Sequence, residues 1–246
     1  MLVRSFILDA LNRLFRLRGM ELRALTPLES DASMEAGLKR ACQLVPEVAS
    51  VIDVGAASGQ WTRRSLRHFQ RARHLLIEPL VEREPELRAL QAEFPGIEIV
   101  TSALGETSGE TSFHVSADLD GSGIYDGPST TSRTVPLTTL DAAVARHALP
   151  GPYLVKLDTH GFELPILRGA TRTLESASLL LIEAYNFQLT AGCLRFHELC
   201  TWLESHGFRV CDLIEPLRRP GDALLWQMDL TFARSDHPAF RRASYR

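Results

Sequence analysis

Residues 50–59 read SVIDVGAASG, an apolar run that passes directly into a turn of small residues. The run is apolar on both faces, which is typical of a buried central strand in a parallel sheet. In the stretch 60–71 that follows, Leu66 and Phe69 share one face of a helical pattern. This part of the chain therefore predicts a strand, a tight turn and a helix, the unit from which open α/β sheets are built.

The same alternation of apolar runs and helical patterns continues along the chain. The runs that predict further strands lie at residues 74–78, 97–104, 111–115, 153–158, 179–185, 208–214 and 224–234. The last two are joined by the turn-rich stretch 215–223 and form a hairpin, so one strand must run antiparallel to its neighbours. We therefore predict an α/β fold with a doubly wound sheet, mostly parallel, with an antiparallel C-terminal edge strand.

Residues 1–32 are predicted to form an N-terminal amphipathic helix with a linker, and residues 33–246 a single domain. In the N-terminal pattern, apolar residues gather on one face and arginines lie around the rest. Asp9 and Arg13 interrupt the apolar run, which argues against a cleaved targeting signal. We expect this helix to pack on the domain, and binding to an anionic lipid surface is the alternative.

Composition narrows the classes of partner. The chain has 27 basic and 30 acidic side chains and a net charge of -3, so no domain-wide positive field exists to hold a nucleic acid. No apolar run approaches the ~20 residues that span a bilayer. The four cysteines form no C-x-x-C pair and are expected to be reduced thiols. We expect a cytoplasmic protein with no nucleic-acid partner and no membrane span.

In open α/β sheets, ligands bind beyond the carboxyl ends of the strands. Asp53, Gly55 and Gly59 form a D-x-G-x-x-x-G pattern where the first strand passes into its helix. A dinucleotide site would need glycine at the positions of Ala57 and Gln60 to admit a pyrophosphate. The pattern instead suits a ligand that has an amino acid end and no phosphate, although a purely structural turn would have a similar sequence.

Acidic and small residues follow the next two strands. Glu78 closes the second strand, where a carboxylate can accept hydrogen bonds from both hydroxyls of a ribose. A solvated carboxylate at a strand end is the alternative interpretation. Ser102 and Ala103 close the third strand, at a position that can flank an adenine.

Polar residues also cluster at the ends of the predicted strands 153–158 and 179–185. We interpret this end of the site as the place where the reaction occurs. These residues are Lys156, Asp158, His160, Glu163, Glu183 and Tyr185. Asp158 and His160 are the candidates for a general base. Asp158 could instead orient a ligand or bind a divalent ion with Glu183, but no spacing here demands a metal, so none is predicted.

Several of these segments, in this order, resemble the FkbM-type methyltransferase family. The segments are VIDVGAASGQW (51–61), LLIEP (75–79), ALGETSGETSF (103–113), TTLD (138–141) and VKLDTHGFELPILRGA (155–170), with LWQMDLTF (225–232) also in place. The resemblance implies a seven-stranded Rossmann-like methyltransferase fold and S-adenosylmethionine as the methyl donor. It also implies O-methylation of a hydroxyl on a small molecule, a sugar or a natural product.

By position, the resemblance assigns roles to residues of this chain. The donor would be bound by Asp53, Gly55, Ala56, Gly59 and Trp61 around its methionine part, by Glu78 and Pro79 at its ribose, and by Ser102 and Ala103 at its adenine. From their places at the strand ends, we predict Asp158, His160 and Glu183 as catalytic residues, and Glu163 and Tyr185 as contacts to a small-molecule or glycan acceptor. The N-terminal residues and the loop 118–131 would shape the acceptor pocket.

Two other readings of the sequence stay open. A nicotinamide-dependent oxidoreductase is possible on a Rossmann fold, but the missing glycines argue against it. A noncatalytic module that keeps the methyltransferase fold for binding is the second alternative, since one fold serves many functions.

Overall fold

The computed structural model describes residues 31–125 and 131–244. The predicted N-terminal helix lies outside these residues, as does part of the predicted loop 118–131. The helices are α1 (Met34–Leu44), α2 (Gln60–Ser65), α3 (Glu84–Glu93), α4 (Leu140–Arg146), α5 (Glu163–Arg168), α6 (Thr171–Ser176) and α7 (Phe196–Ser205). None of the helices in the described part of the chain is long and apolar enough to cross a membrane.

Ten strands form two sheets within the described residues. They are β1 (Ser50–Val54), β2 (Arg73–Ile77), β3 (Ile97–Val100), β4 (Ala103–Leu104), β5 (Gly109–His114), β6 (Ser132–Thr138), β7 (Tyr153–Leu157), β8 (Ala177–Tyr185), β9 (Phe208–Arg218) and β10 (Leu225–Arg234). The main sheet has seven strands in the order β3-β2-β1-β7-β8-β10-β9, and a small sheet has the order β4-β6-β5.

The pattern of apolar residues explains this arrangement. Every residue of β1 and of β7 is buried, because helices cover both faces of the sheet. Ile52 packs in the core under α4, α5, α6 and α7, whereas its neighbour Val51 faces the core under α1. Helix α3 covers the same face as α1, above β2 and β3. Burial on both sides is what makes the central strands continuous apolar runs.

The order of strands reverses beside β1. The chain moves outward through β2 and β3, then returns to pair β7 with the free side of β1. A crevice forms at the carboxyl ends of strands at such a point. At the other edge β10 runs antiparallel between β8 and β9, which confirms the predicted mostly parallel sheet with antiparallel pairing at its C-terminal edge.

The predicted strand 97–104 is wrong in one respect, because it is two strands in two sheets. Residues up to Val100 pair with β2, while Ala103 and Leu104 pair with β6. The amide N–H of Glu78 donates to Val100 O at 3.1 Å, and the next amide on that side, two residues further on, is that of Leu80. Because the Leu80 amide donates to the Glu78 carboxylate at 2.9 Å, the ladder with β2 ends here. The chain turns at Ser102 and begins the small sheet.

A buried histidine lies between β2 and α2. His74 is 1% exposed. Its Nδ1 lies 3.1 Å from Ala72 O and must donate to that carbonyl, while its Nε2 lies 3.1 Å from the Ser65 hydroxyl. Burial lowers the pKa of His74 to about 4. The folded protein therefore keeps this ring neutral in a pH range where the unfolded chain is protonated.

We predict that His74 makes folding pH-dependent. Between its ordinary pKa of 6.5 and the folded value of about 4, the unfolded state binds a proton that the folded state does not, so stability falls as pH falls. The loss is about 2 kcal/mol between pH 7.5 and pH 5. Urea unfolding of the wild type and of His74→Gln across this range measures it. A difference in unfolding free energy between the two proteins that does not change with pH would contradict the prediction.

Candidate active site

A cavity of about 270 Å³ opens at the carboxyl edge of the main sheet, beside the reversal of strand order. It extends along the strand ends from β3 to β8. At one side it is lined by the predicted donor residues Gly55, Glu78, Pro79, Ser102 and Ala103, and at the other by the predicted catalytic residues Asp158, His160 and Glu183. Two groups of residues that are distant in sequence thus share one cavity.

The turn after β1 requires glycine for two separate reasons. Gly55 has a φ of +75°, and a Cβ added there would lie 2.1 Å from the carbonyl oxygen of Asp158. The backbone of the turn therefore packs directly on the backbone that follows β7. Gly59 also has a positive φ, of +77°, but a Cβ there would meet Leu90 at 2.8 Å. Gly55 borders the cavity, and Gly59 serves the packing of α2 on α3.

The carboxylate of Glu78 fastens two turns together. Its Oε2 accepts from the amide of Ala57 at 2.8 Å, and its Oε1 accepts from the amide of Leu80 at 2.9 Å. Burial raises the pKa of Glu78, and these two amide donors act in the opposite direction. Since each carboxylate oxygen has two lone pairs, Glu78 keeps acceptor capacity for a ligand in the cavity.

A buried lysine links the two central strands. Lys156 on β7 is the direct neighbour of Asp53 on β1. Its Nζ lies 3.1 Å from Asp53 Oδ1 and 3.2 Å from Asp158 Oδ2, and it donates to Gly55 O at 3.2 Å. Burial alone would lower the pKa of Lys156, but the charges of Asp158 and Asp53 raise it above its usual value. The ammonium therefore stays charged inside the protein.

Sequence reasoning assigned no role to Lys156. A lysine inside the apolar run YLVKL is the available signal, because a lysine is almost never fully buried unless it is paired. Asp53 completes the pairing: it is fully buried, and its Oδ2 accepts from the Thr62 hydroxyl at 2.5 Å. Asp53 thus supports the turn from beneath and does not line the cavity.

The end of the cavity beside β8 carries two neighbouring carboxyl groups. Burial and the charge of Asp158 raise the pKa of Glu183 to about 9. For Asp158, burial is outweighed by Lys156 and its other neighbours, which lower its pKa below the usual range. At neutral pH Asp158 is therefore the anion, and Glu183 holds a proton.

Two residues of β10 that were not among the predicted site residues, Gln227 and Asp229, lie beside Glu183. The Gln227 amide donates to Glu183 Oε1, and the Tyr185 hydroxyl donates to Oε2. Asp229 lies opposite Glu183 in the ladder, and burial together with the charge of Asp158 raises its pKa to about 7. These residues lie beside Glu183 because β10 inserts antiparallel next to β8. No local pattern of the sequence reveals that insertion.

His160 is held at the cavity wall by a loop contact. Its backbone has a φ of +54°, a left-handed conformation that is uncommon for histidine. Nδ1 lies 3.1 Å from Ser122 O, and Nε2 lies 3.7 Å from Asp158 Oδ1. Asp158, His160 and Glu183 each offer one atom that could ligate a metal ion. These three atoms all lie within 4.8 Å of one another.

Several predicted site residues lie behind the cavity wall. Among them, Glu163 is buried, and its Oε1 accepts from the Thr159 hydroxyl at 3.0 Å and from Gly161 N at 3.1 Å. It thereby holds the loop that carries His160. The residues that do not line the cavity are Asp53, Ala56, Gly59, Trp61, Glu163 and Tyr185. Direct contact of these residues with a ligand stays a prediction, and the geometry gives them supporting contacts.

The sheet order, the antiparallel insertion and the position of the cavity define the class. This is the fold of the class I, S-adenosylmethionine-dependent methyltransferases. A model of the methyltransferase FkbM domain matches residues 53–210. The chain therefore belongs to the FkbM methyltransferase family, as its motifs predicted.

The chain is similar to solved structures of methyltransferases. The methyltransferase FkbM of Methylobacillus flagellatus KT has a TM-score of 0.50 and 16% identity, over 74% of this chain and 43% of that one. This chain thus spans less than half of that protein. A 1,6-didemethyltoxoflavin-N1-methyltransferase of Burkholderia thailandensis has a TM-score of 0.47 and 15% identity, over 85% of this chain and 82% of that one. No curated protein matches the chain in sequence.

We predict that Gly55→Ala destabilises the protein by about 3 kcal/mol or more, because the new Cβ meets a backbone oxygen at a strained φ. Gly96→Ala is the matched control, since a Cβ there has no neighbour within 4 Å. Urea unfolding of both variants measures the difference. Equal stability of the two would show that the turn can move away from β7.

Proposed function

We propose that this chain binds S-adenosylmethionine in the cavity and transfers its methyl group to a hydroxyl of a small molecule, a sugar or a natural product. The observation that carries the proposal is the hydrogen bond between Ala57 and Glu78. It joins the turn after β1 to the acid after β2, and both border the cavity whose other end holds Asp158. A single ligand with an amino acid part and a ribose can therefore contact both.

The donor end of the cavity suits a nucleoside. Glu78 retains a free lone pair on each oxygen for the two ribose hydroxyls. Within the described residues the hydroxyl of Ser102 is buried and has no hydrogen-bond partner, and Ser102 lines the cavity. A buried hydroxyl without a partner is costly, and a nitrogen of an adenine would satisfy it.

The same contacts disfavour a dinucleotide. A pyrophosphate site uses free backbone N–H groups in the first turn. Here the amide of Ala57 donates to Glu78 instead, and Ala57 and Gln60 occupy the positions that would need glycine. Parallel calorimetric titrations with S-adenosylmethionine and with NAD test this choice, and we expect heat of binding from the first alone.

When bound, S-adenosylmethionine supplies an electrophilic methyl group, and transfer breaks the carbon–sulfur bond with the electron pair left on sulfur. The chain's part is to hold the acceptor oxygen in line with that bond and to take its proton. Asp158, anionic beside Lys156, and Nε2 of His160 are the two groups that can receive the proton. A charged cluster at the cavity wall favours catalysis over a purely binding role, because buried charge is costly to keep.

We predict that Glu78→Ala weakens S-adenosylhomocysteine binding by more than about tenfold, since charge-assisted hydrogen bonds to a ribose are lost. Isothermal titration calorimetry measures the affinity. Glu82→Ala is the matched control, because Glu82 is close in sequence and pairs with Arg133 instead of lining the cavity.

Glu78 also holds two backbone amides, so its loss can reduce stability. Ser102→Leu is the second variant, since it fills the donor end of the cavity and leaves the Glu78 hydrogen bonds unchanged. We expect it to lower donor affinity as well. If both variants bind S-adenosylhomocysteine as tightly as the wild type, the donor does not lie in this cavity.

We predict that Asp158→Asn lowers turnover by about 100-fold or more and changes donor affinity little, because Asp158 acts on the acceptor. Release of S-adenosylhomocysteine in the presence of a panel of hydroxylated small molecules and sugars measures turnover. Asp222→Asn removes the same charge at an exposed position that does not line the cavity and is the control. Full activity of Asp158→Asn would exclude this residue from the chemistry.

A further inference from the structure

We propose that Asp158, His160 and Glu183 form a binding site for one divalent first-row metal ion at the acceptor end of the cavity. The three side chains come from the end of β7, from the loop after it and from the end of β8. Within the described residues they are the one group of three whose ligand atoms all lie within 4.8 Å of one another. All three line the cavity, so an ion can reach them.

The orientation of His160 is the first argument. The carbonyl oxygen of Ser122 carries no proton, so Nδ1 must be the donor in the 3.1 Å contact between them. Nε2 is then turned toward Asp158 Oδ1, at 3.7 Å. This separation is longer than a hydrogen bond, so the lone pair of a neutral Nε2 and the carboxylate oxygen can both ligate a cation placed between them. Histidines that bind metals commonly donate their other N–H to a carbonyl in this way.

The balance of charge is the second argument. Lys156 is already engaged by Asp53 and by Oδ2 of Asp158. The carboxyl groups of Asp158 and Glu183 hydrogen-bond to each other, and Asp229 lies opposite Glu183 in the ladder as a third acidic group. A divalent ion would offset this excess of acidic groups.

Residues around the cluster already orient it. Tyr185 and Gln227 each donate to one oxygen of Glu183. Carboxylate ligands of metals are usually hydrogen-bonded in this manner by neighbouring residues. Glu163, through Thr159 and Gly161, fixes the loop that carries His160. The three ligands are thus positioned before any ion binds.

The ligand set indicates the kind of ion. Two carboxylates and one imidazole give mixed oxygen and nitrogen ligation, whereas magnesium and calcium prefer oxygen alone and thiolate sites select softer metals. Manganese(II) accepts both ligand types and is the probe we choose. The use of the ion in catalysis rests on the proposed methyl transfer: positive charge here would favour the anionic form of an acceptor hydroxyl.

The test is a manganese(II) titration of the untagged, chelator-treated chain, followed by electron paramagnetic resonance, with no donor or acceptor present. We expect one ion per chain. Glu183→Gln and His160→Asn should each weaken binding at least tenfold. Asparagine tolerates the left-handed backbone of residue 160, which keeps the loop intact. Asp222→Asn, the control, should bind as the wild type does, because Asp222 pairs with Arg219 and does not line the cavity.

The other outcomes overturn either the metal site or the proposed function, and they can be told apart. Absence of saturable binding, or equal affinity in the wild type and Glu183→Gln, means that these side chains are not metal ligands. S-adenosylhomocysteine affinity, measured on the same samples, shows whether each variant keeps its cavity. If the metal does not bind but methyl transfer proceeds with a chelator present, the metal site is wrong and the proposed function stands. If the metal binds but the methyl donor does not, the metal site stands and the proposed function is wrong.

Discussion

One buried ammonium holds the two central strands together where the cavity opens. Lys156 reaches the carboxylates of Asp53 and Asp158 and the carbonyl of Gly55, and so connects the turn after β1 with the end of β7. An uncompensated charge in such surroundings costs several kcal/mol, roughly 3–5 when one partner of a buried pair is removed. The three charges are therefore interdependent, and the position of Asp158 at the cavity wall depends on all of them.

The order of elements could be predicted from local patterns, because helices cover both faces of the sheet and force the central strands to be apolar throughout. Contacts that depend on strand register and on which strands become neighbours could not be predicted from local patterns. The end of β3 depends on the amide of Leu80, which donates to the Glu78 side chain, and the surroundings of Glu183 depend on an antiparallel insertion from β10. Neither leaves a signal near the residue that it affects.

The residues of the site also divide into those whose role could be predicted from the sequence and those whose role could not. Gly55 and Glu78 were recognisable because a turn after a strand and an acid after the next strand have a chemical reason to be there. Glu163 was assigned to the acceptor from its motif, yet its contacts are hydrogen bonds to its own loop. A carboxylate that caps a loop and one that faces a ligand have the same local sequence, and only burial and partners distinguish them. Family membership therefore identifies the chemistry better than it identifies each residue's part in it.

The two sides of the cavity also differ in what they are made of. On the side of β1 and β7, main chain rests on main chain, since Gly55 packs on the carbonyl of Asp158. On the side of the small sheet, the wall consists of side chains, among them Leu104 and Phe113. For protein engineering, this means that room for bulkier alkyl donors beside Gly55 has to come from trimming the second wall, because Gly55 has no side chain to shorten.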